Sequence, residues 1–226
     1  GVVCSGGDSG HVRVHRLRPD NGASSGAAGS GGSGGFFGCE RECLTLEGHL
    51  GAVMCLDAPR ADYSGGGGYG GGGGGGVGRS GGLAAVGSGQ PYAPPCQLYS
   101  GSVDHTVAVW DLQAGGARTH RLEGHGRSVH CLTLGSAGGT SSASVGGGSS
   151  VLFTGSRDHS IKLWDLRTHQ AEHTLVGHTG SVTCIGVHGW RLLSGGGYNR
   201  GADDDEVLSV DSSLKLWDLR MLCCSK

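Results

Sequence analysis

The chain has 226 residues, 50 of them glycine, with 17 Lys and Arg against 19 Asp and Glu and a formal net charge of −2. That balance leaves no broad basic surface for phosphate backbones, so no direct nucleic-acid binding is expected. No run of residues has the length and apolarity of a membrane-spanning helix, and the N-terminus lacks a charged-then-apolar leader, so no membrane insertion is expected.

Taken in chain order, short runs of period-two alternation bounded by Gly, Ser, Asn and Asp predict strands. The first group, about 1–46, has Val2–Gly6, His11–Leu17 and Glu42–Leu46. The second, about 52–122, has Ala52–Asp57, Gln97–Gly101, Thr106–Asp111 and Ala117–Leu122. The third, about 128–176, has Ser128–Leu134, Val151–Gly155, Ser160–Asp165 and Ala171–Val176. The fourth, about 181–218, has Ser181–Val187, Trp190–Gly195 and Ser212–Asp218, with no outermost strand foreseen after it. Helix is expected to be close to nil.

Gly- and Ser-rich inserts interrupt this pattern at about 18–38, 59–95, 135–150 and 196–206, where loops are expected. The second insert holds GGGGYGGGGGGG, which has too little apolar area to offset the ordering entropy of glycine. No Gly-Lys-Ser/Thr follows it, so it is not a phosphate loop. The acidic run Gly201–Val207 reads as a solvated hairpin tip.

The groups repeat. QLYSGSVDHTVAVWDL, VLFTGSRDHSIKLWDL and SVDSSLKLWDL each place Asp six residues before Trp: Asp104 and Trp110, Asp158 and Trp164, Asp211 and Trp217. A weaker copy, VVCSGGDSGHVRVHRL, has Ser9 and His15 at those two places. Gly-His precedes three of the copies, at His49, His125 and His178. From His125 to Trp164 is 39 residues, as from His178 to Trp217; an insert stretches the His49–Trp110 interval to 61.

A repeat that opens on Gly-His and closes on Trp-Asp, with short alternating strands between, resembles the WD40 family. The resemblance implies an all-β fold: a β-propeller of WD40 blades, about four of them present, partial to complete. It implies further that the chain is a fragment of a larger, seven-bladed ring. It also implies a buried hydrogen-bonded tetrad of His, Ser or Thr, Asp and Trp in each blade. Carried onto this sequence, the sets are His125, Thr154, Asp158 and Trp164; His49, Ser100, Asp104 and Trp110; and His178, Ser194, Asp211 and Trp217.

Ser, His and Asp together also suggest a hydrolase triad. Their recurrence once per blade, beside an indole with no role in such a triad, favours a structural assignment, and no catalytic residues are expected. Among the nine cysteines, Cys55, Cys131 and Cys184 share one repeat position and read as small core residues. No Cys-x2-Cys pair occurs, so no metal site is expected, and no cofactor is implied. Such cysteine usage fits a reducing cytoplasmic or nuclear compartment.

The function expected from these features is a non-enzymatic scaffold that binds other proteins or peptides. Its candidate contact residues are the turn tips Val103, His105, Arg157 and His159, together with Arg127 and Ser128 after Gly-His. All of these also fit ordinary solvated turns. WDLR occurs twice, ending at Arg167 and Arg220. It resembles the Trp-Asp-x-Arg box through which some WD40 proteins dock the adaptor of cullin-RING ubiquitin ligases, and GWRLLSGG resembles repeats of F-box WD40 proteins. A substrate receptor of such a ligase is therefore one alternative. An accessory propeller of an enzyme whose catalytic domain lies elsewhere is another.

Overall fold

The structure is a computed structural model, and it describes residues 2–16, 43–59, 97–136, 150–200, 207–221 and 223–225. The insert at 18–38, the Gly-rich tract with nearly all of the insert at 59–95, most of the insert at 135–150, and the acidic run 201–206 lie outside the described residues. Among those described there is no helix. The architecture is all-β, part of a β-propeller, built of four antiparallel sheets laid side by side.

The first blade has β1 (Val2–Gly6), β2 (Val12–Arg16) and β3 (Cys43–Leu46). The second has β4 (Val53–Asp57), β5 (Gln97–Ser102), β6 (Val107–Asp111) and β7 (Ala117–Leu122). The third has β8 (Val129–Ser136), β9 (Ser150–Ser156), β10 (Ser160–Asp165) and β11 (Gln170–Val176). The fourth opens with β12 (Val182–His188) and β13 (Arg191–Gly196). A separate two-stranded hairpin, β14 (Tyr198–Arg200) and β15 (Val207–Val210), follows. The sheet then resumes with β16 (Leu214–Asp218) and β17 (Cys223–Ser225).

One element corrects the sequence expectation. The fourth blade was expected to end at Asp218 without an outer strand, but β17 pairs antiparallel with β16, Trp217 opposite Cys224. β17 is three residues long, too short to show a period in the sequence. The insert at 196–206 was expected as a loop with its acidic run at a hairpin tip, and its flanks pair as a hairpin, Tyr198 opposite Val210.

The alternation seen in the sequence puts one face of each sheet against its neighbour. Cys4, Val12, Val14 and Leu46 of the first blade pack with Val53, Leu98, Ala108 and Trp110 of the second. Tyr99, Val107, Val109 and Leu122 then pack with Val129, Leu132, Leu152 and Trp164. Phe153, Ile161, Leu163 and Leu175 pack with Val182, Leu192 and Trp217. The sheets are thus apolar on both faces, which is why the strands read as near-continuous hydrophobic runs.

The tight turns β1–β2, β5–β6 and β9–β10 repeat one conformation. Gly10, His105 and His159 take the left-handed backbone at matching positions, with φ of 75°, 72° and 69°. Glycine does this freely, and His is among the few other residues that visit the region.

Candidate functional site

Each of the three complete blades holds one chain of hydrogen bonds. In the third blade Trp164 Nε1 donates to Thr154 Oγ1 at 2.8 Å. The Asp158 carboxylate can only accept, so His125 Nδ1 donates to its Oδ2 at 2.9 Å. With the single proton of the neutral ring on Nδ1, Nε2 accepts from the Thr154 hydroxyl, 2.8 Å away. The second blade has the same order: Trp110 to Ser100 at 2.8 Å, Ser100 to His49 at 2.7 Å, His49 to Asp104 at 2.9 Å. The fourth blade repeats it with Trp217, Ser194, His178 and Asp211 at 2.8, 2.7 and 2.7 Å.

The geometry of hydroxyl, imidazole and carboxylate is that of a hydrolytic triad, but the hydroxyls cannot meet a substrate. Ser100 and Thr154 are 0% exposed and Ser194 1%. Each hydroxyl also already accepts from an indole N–H and donates to an imidazole. An attacking oxygen needs a free approach path, and these have none. What the chain can do is tie the two middle strands of the blade, the turn between them and the Gly-His loop together with every polar atom satisfied. No buried side-chain N or O among the described residues lacks a partner.

The carboxylates anchor more than the histidines. Asp104 Oδ2 also accepts from the Leu50 amide at 2.9 Å, and its Oδ1 accepts from the Thr106 amide and hydroxyl at 3.0 and 2.6 Å. Burial opposes ionisation of Asp104, but these bonds from Thr106, Leu50 and His49 together outweigh it and hold its pKa down at about 2. Asp158 and Asp211 are likewise held below the usual carboxylate range against the cost of burial. His125 and Ser160 hold Asp158, and Ser213 and His178 hold Asp211.

Thr106, Ser160 and Ser213 did not figure among the sequence candidates. Their signal was present as Asp-x-Ser/Thr in all three copies. Ser102 and Ser156 were a second omission. Their hydroxyls donate to the carbonyls of Gly51 and Arg127, both at 3.0 Å, stitching each turn to the Gly-His loop beside it.

In the first blade Val3 pairs with His15 as Leu98 pairs with Trp110, so His15 stands at the Trp place of the ladder. The cysteines of the inner strands sit against backbone and aliphatic side chains. Burial pushes the Cys55 thiol up to about 12, and burial also raises Cys131.

The turn-tip candidates gather at the end of the blades where the Asp residues lie. Val103, His105 and Arg127 are exposed, and Arg157 and His159 are half-buried. Leu50, which sequence reading passed over, is fully presented beside Val103 at 87% exposure. Ser128 drops out of this surface: it is buried, with its carbonyl accepting the Arg157 amide at 2.9 Å. Turn and loop close over it.

Arg167 and Arg220 lie at the far end of the third strands, both exposed. Arg220 grips Asp218 with two bonds, Nε at 3.0 Å and Nη2 at 2.6 Å. Arg167 approaches Asp165 only to 3.5 Å.

Comparison with known proteins places these features among repeats. Residues 116–165 match the model "WD domain, G-beta repeat". The match starts near β7 of one blade and ends at the Trp-Asp of the next, so one sequence repeat straddles two sheets. Coatomer subunit beta'-1 of Arabidopsis thaliana is 33% identical over 89 residues, 39% of this chain and 9% of that protein. WD repeat-containing protein pop2 of Schizosaccharomyces pombe is 30% identical over 147 residues, 53% of this chain and 18% of that protein. The chain therefore spans only a small part of the relatives it matches. The crystal structure of the computationally designed Ika8 protein superposes with a TM-score of 0.57 at 18% identity, over the whole of this chain and 45% of that one.

Proposed function

We propose that this chain, a member of the WD40-repeat family, is a non-enzymatic scaffold that binds proteins or peptides through the turn-tip end of its blades. The observation that carries this reading is the sequestration of the three Ser/Thr-His-Asp sets. Their hydroxyls are buried and doubly hydrogen-bonded, so the repeated polar chemistry is spent on holding the blades. What remains presented at that end is a mixture suited to recognition: apolar Leu50 and Val103 with basic Arg127, Arg157 and nearby His105 and His159. The direct test places a photo-crosslinking residue at Val103, at Arg127, and at outer-strand Val176. Crosslinked protein is expected from the first two sites and not the third. Labelling concentrated at Val176, or ester hydrolysis by the chain that Ser100→Ala abolishes, would overturn it.

A narrower reading is docking of a cullin-RING ligase adaptor, and the contrast between the two WDLR arginines supports Arg167 as its contact. Its guanidinium stands 3.5 Å from its own Asp165, whereas Arg220 is committed to Asp218 by two short bonds. An acidic partner surface would compete more easily for Arg167.

A further inference from the structure

The joint between blades two and three holds a pair of titratable rings in direct contact. His120 of β7 and His169 of the β10–β11 turn lie face to face, their ring centroids 3.5 Å apart and their planes at 6°. His120 is exposed and His169 half-buried, so protons reach both rings. The backbone places each of them. The register of β7 on β6 shifts between Val109 and Trp110, so His120 stands opposite Val109 and Arg118 opposite Trp110. Val109 packs toward blade three and Trp110 toward blade one. Arg118 therefore turns to the Gly48 carbonyl, 2.6 Å from its Nη1, and His120 faces blade three. On the other side His169 takes the left-handed backbone, with φ of 57°, as its amide donates to the Asp165 carbonyl at 2.7 Å.

The preceding joint fills the same two places without charge. Leu44 stands opposite Val14 as His120 stands opposite Val109. Gly116 closes the β6–β7 turn as His169 closes the β10–β11 turn: its φ is 82°, and its amide donates to the Asp111 carbonyl at 2.8 Å. A Cβ built on Gly116 would meet Leu44 Cδ2 at 2.8 Å. The turn thus rests on the outer strand of the blade before it, glycine on leucine at one joint and histidine on histidine at the next.

Two imidazoles stack when both are neutral or when one is charged. Two imidazolium rings at this separation repel, and the pair then titrates as a unit. The neighbouring charges are otherwise engaged. Arg121 stands opposite Ala108 on the blade-one side of β7 and pairs with Glu123 at 3.0 Å. Lys162 of β10 donates to Thr174 Oγ1 at 3.0 Å, and Glu172 and His173 of β11 approach each other to 3.8 Å. Asp165 of the turn itself has Arg167 at 3.5 Å. Burial, then His120, hold the His169 pKa below its ordinary value, with Asp165 pulling the other way.

We propose that His120 and His169 form a proton-operated clasp between blades two and three, closed while at most one ring is charged and opened when both are. What it holds in place is the turn that presents Arg167. A histidine that folding keeps neutral contributes stability above its ordinary value of 6.5, and that contribution is lost as pH falls below it. The clasp therefore loosens in mildly acidic solution, where histidine charges most readily. It is independent of which partner the turn-tip end binds.

The test uses the full chain with EDTA present, so that no metal bridges the rings. The ring protons of His120 and His169 are followed by NMR from pH 8 to pH 4, and the exchange of the residue-169 amide, corrected for its intrinsic rate, is read at pH 7 and pH 5. Two separated titration steps are expected, and in His120→Leu the His169 step is expected to move to higher pH. Protection of the amide is expected to fall by about tenfold between pH 7 and pH 5, the equivalent of one pKa unit of coupling. It is expected to stay level in His120→Leu/His169→Gly, which rebuilds the Leu44–Gly116 contact. A His169 titration unchanged in His120→Leu would overturn the proposal, and that measurement stands by itself should the double variant fail to fold. Equal protection at the two pH values in the unaltered chain would also overturn it, as would an equal fall in the double variant, which would assign the effect to other histidines.

Discussion

A methyl group on Gly155 would stand 2.6 Å from Val182 Cγ1 of the adjoining sheet and 2.6 Å from Cys131 Sγ of its own. The two sheets approach as closely as a missing side chain allows. Gly155→Ala is therefore expected to destabilise by about 1–3 kcal/mol, the range for overpacking. Gly186→Ala, in β12 with nothing within 4 Å of its Cβ, is expected to be neutral or to stabilise by about 0.4–1 kcal/mol. Urea unfolding of both variants checks the pair. Equal losses would show that the contact is not what requires the glycine.

Thr154→Val keeps the shape of the side chain and removes the oxygen that Trp164 and His125 share. Two buried groups lose their partner, so a loss of about 1–3 kcal/mol is expected. Trp164→Ala removes a buried indole and is expected to cost about 3–5 kcal/mol. A melting temperature unchanged in Trp164→Ala would contradict the structural role of the set.

Asp104 has a folded pKa of about 2 against an ordinary value of 3.8. A depressed carboxylate contributes stability that is present in full above the ordinary value and lost as pH falls toward the folded one. The urea midpoint is thus expected to fall between about pH 4 and pH 2. Asp104→Asn is expected to lower the midpoint at pH 7 and to flatten part of the acid limb. An unchanged acid limb in that variant would remove Asp104 from the account.

Arg167→Ala and Arg220→Ala each remove an exposed arginine beside an Asp of the same turn. Such pairs contribute little, and stability is expected to stay within about 0.5 kcal/mol in both. If the adaptor reading holds, Arg167→Ala abolishes co-purification of the adaptor and Arg220→Ala weakens it less. Unchanged recovery in the double variant would dismiss that reading.

The sequence by itself carried the repeat: Asp104, Asp158 and Asp211 stand six residues before Trp110, Trp164 and Trp217, and alternation places the strands within a residue or two. Spacing could do this because each blade is a local hairpin set, so residues that meet are held in fixed offset by short turns. Alternation also told which residues share a face of a sheet, but not what lies over that face. Phe153 and Leu193 hold the same ladder position, yet one is 0% and the other 49% exposed, because only the packing of a further sheet separates them. The burial of Ser128 beneath Arg157, the seat of Val182 on Gly155, and the pairing of the short β17 with β16 were decided in the same way. Each depends on contacts between segments whose separation no local period encodes.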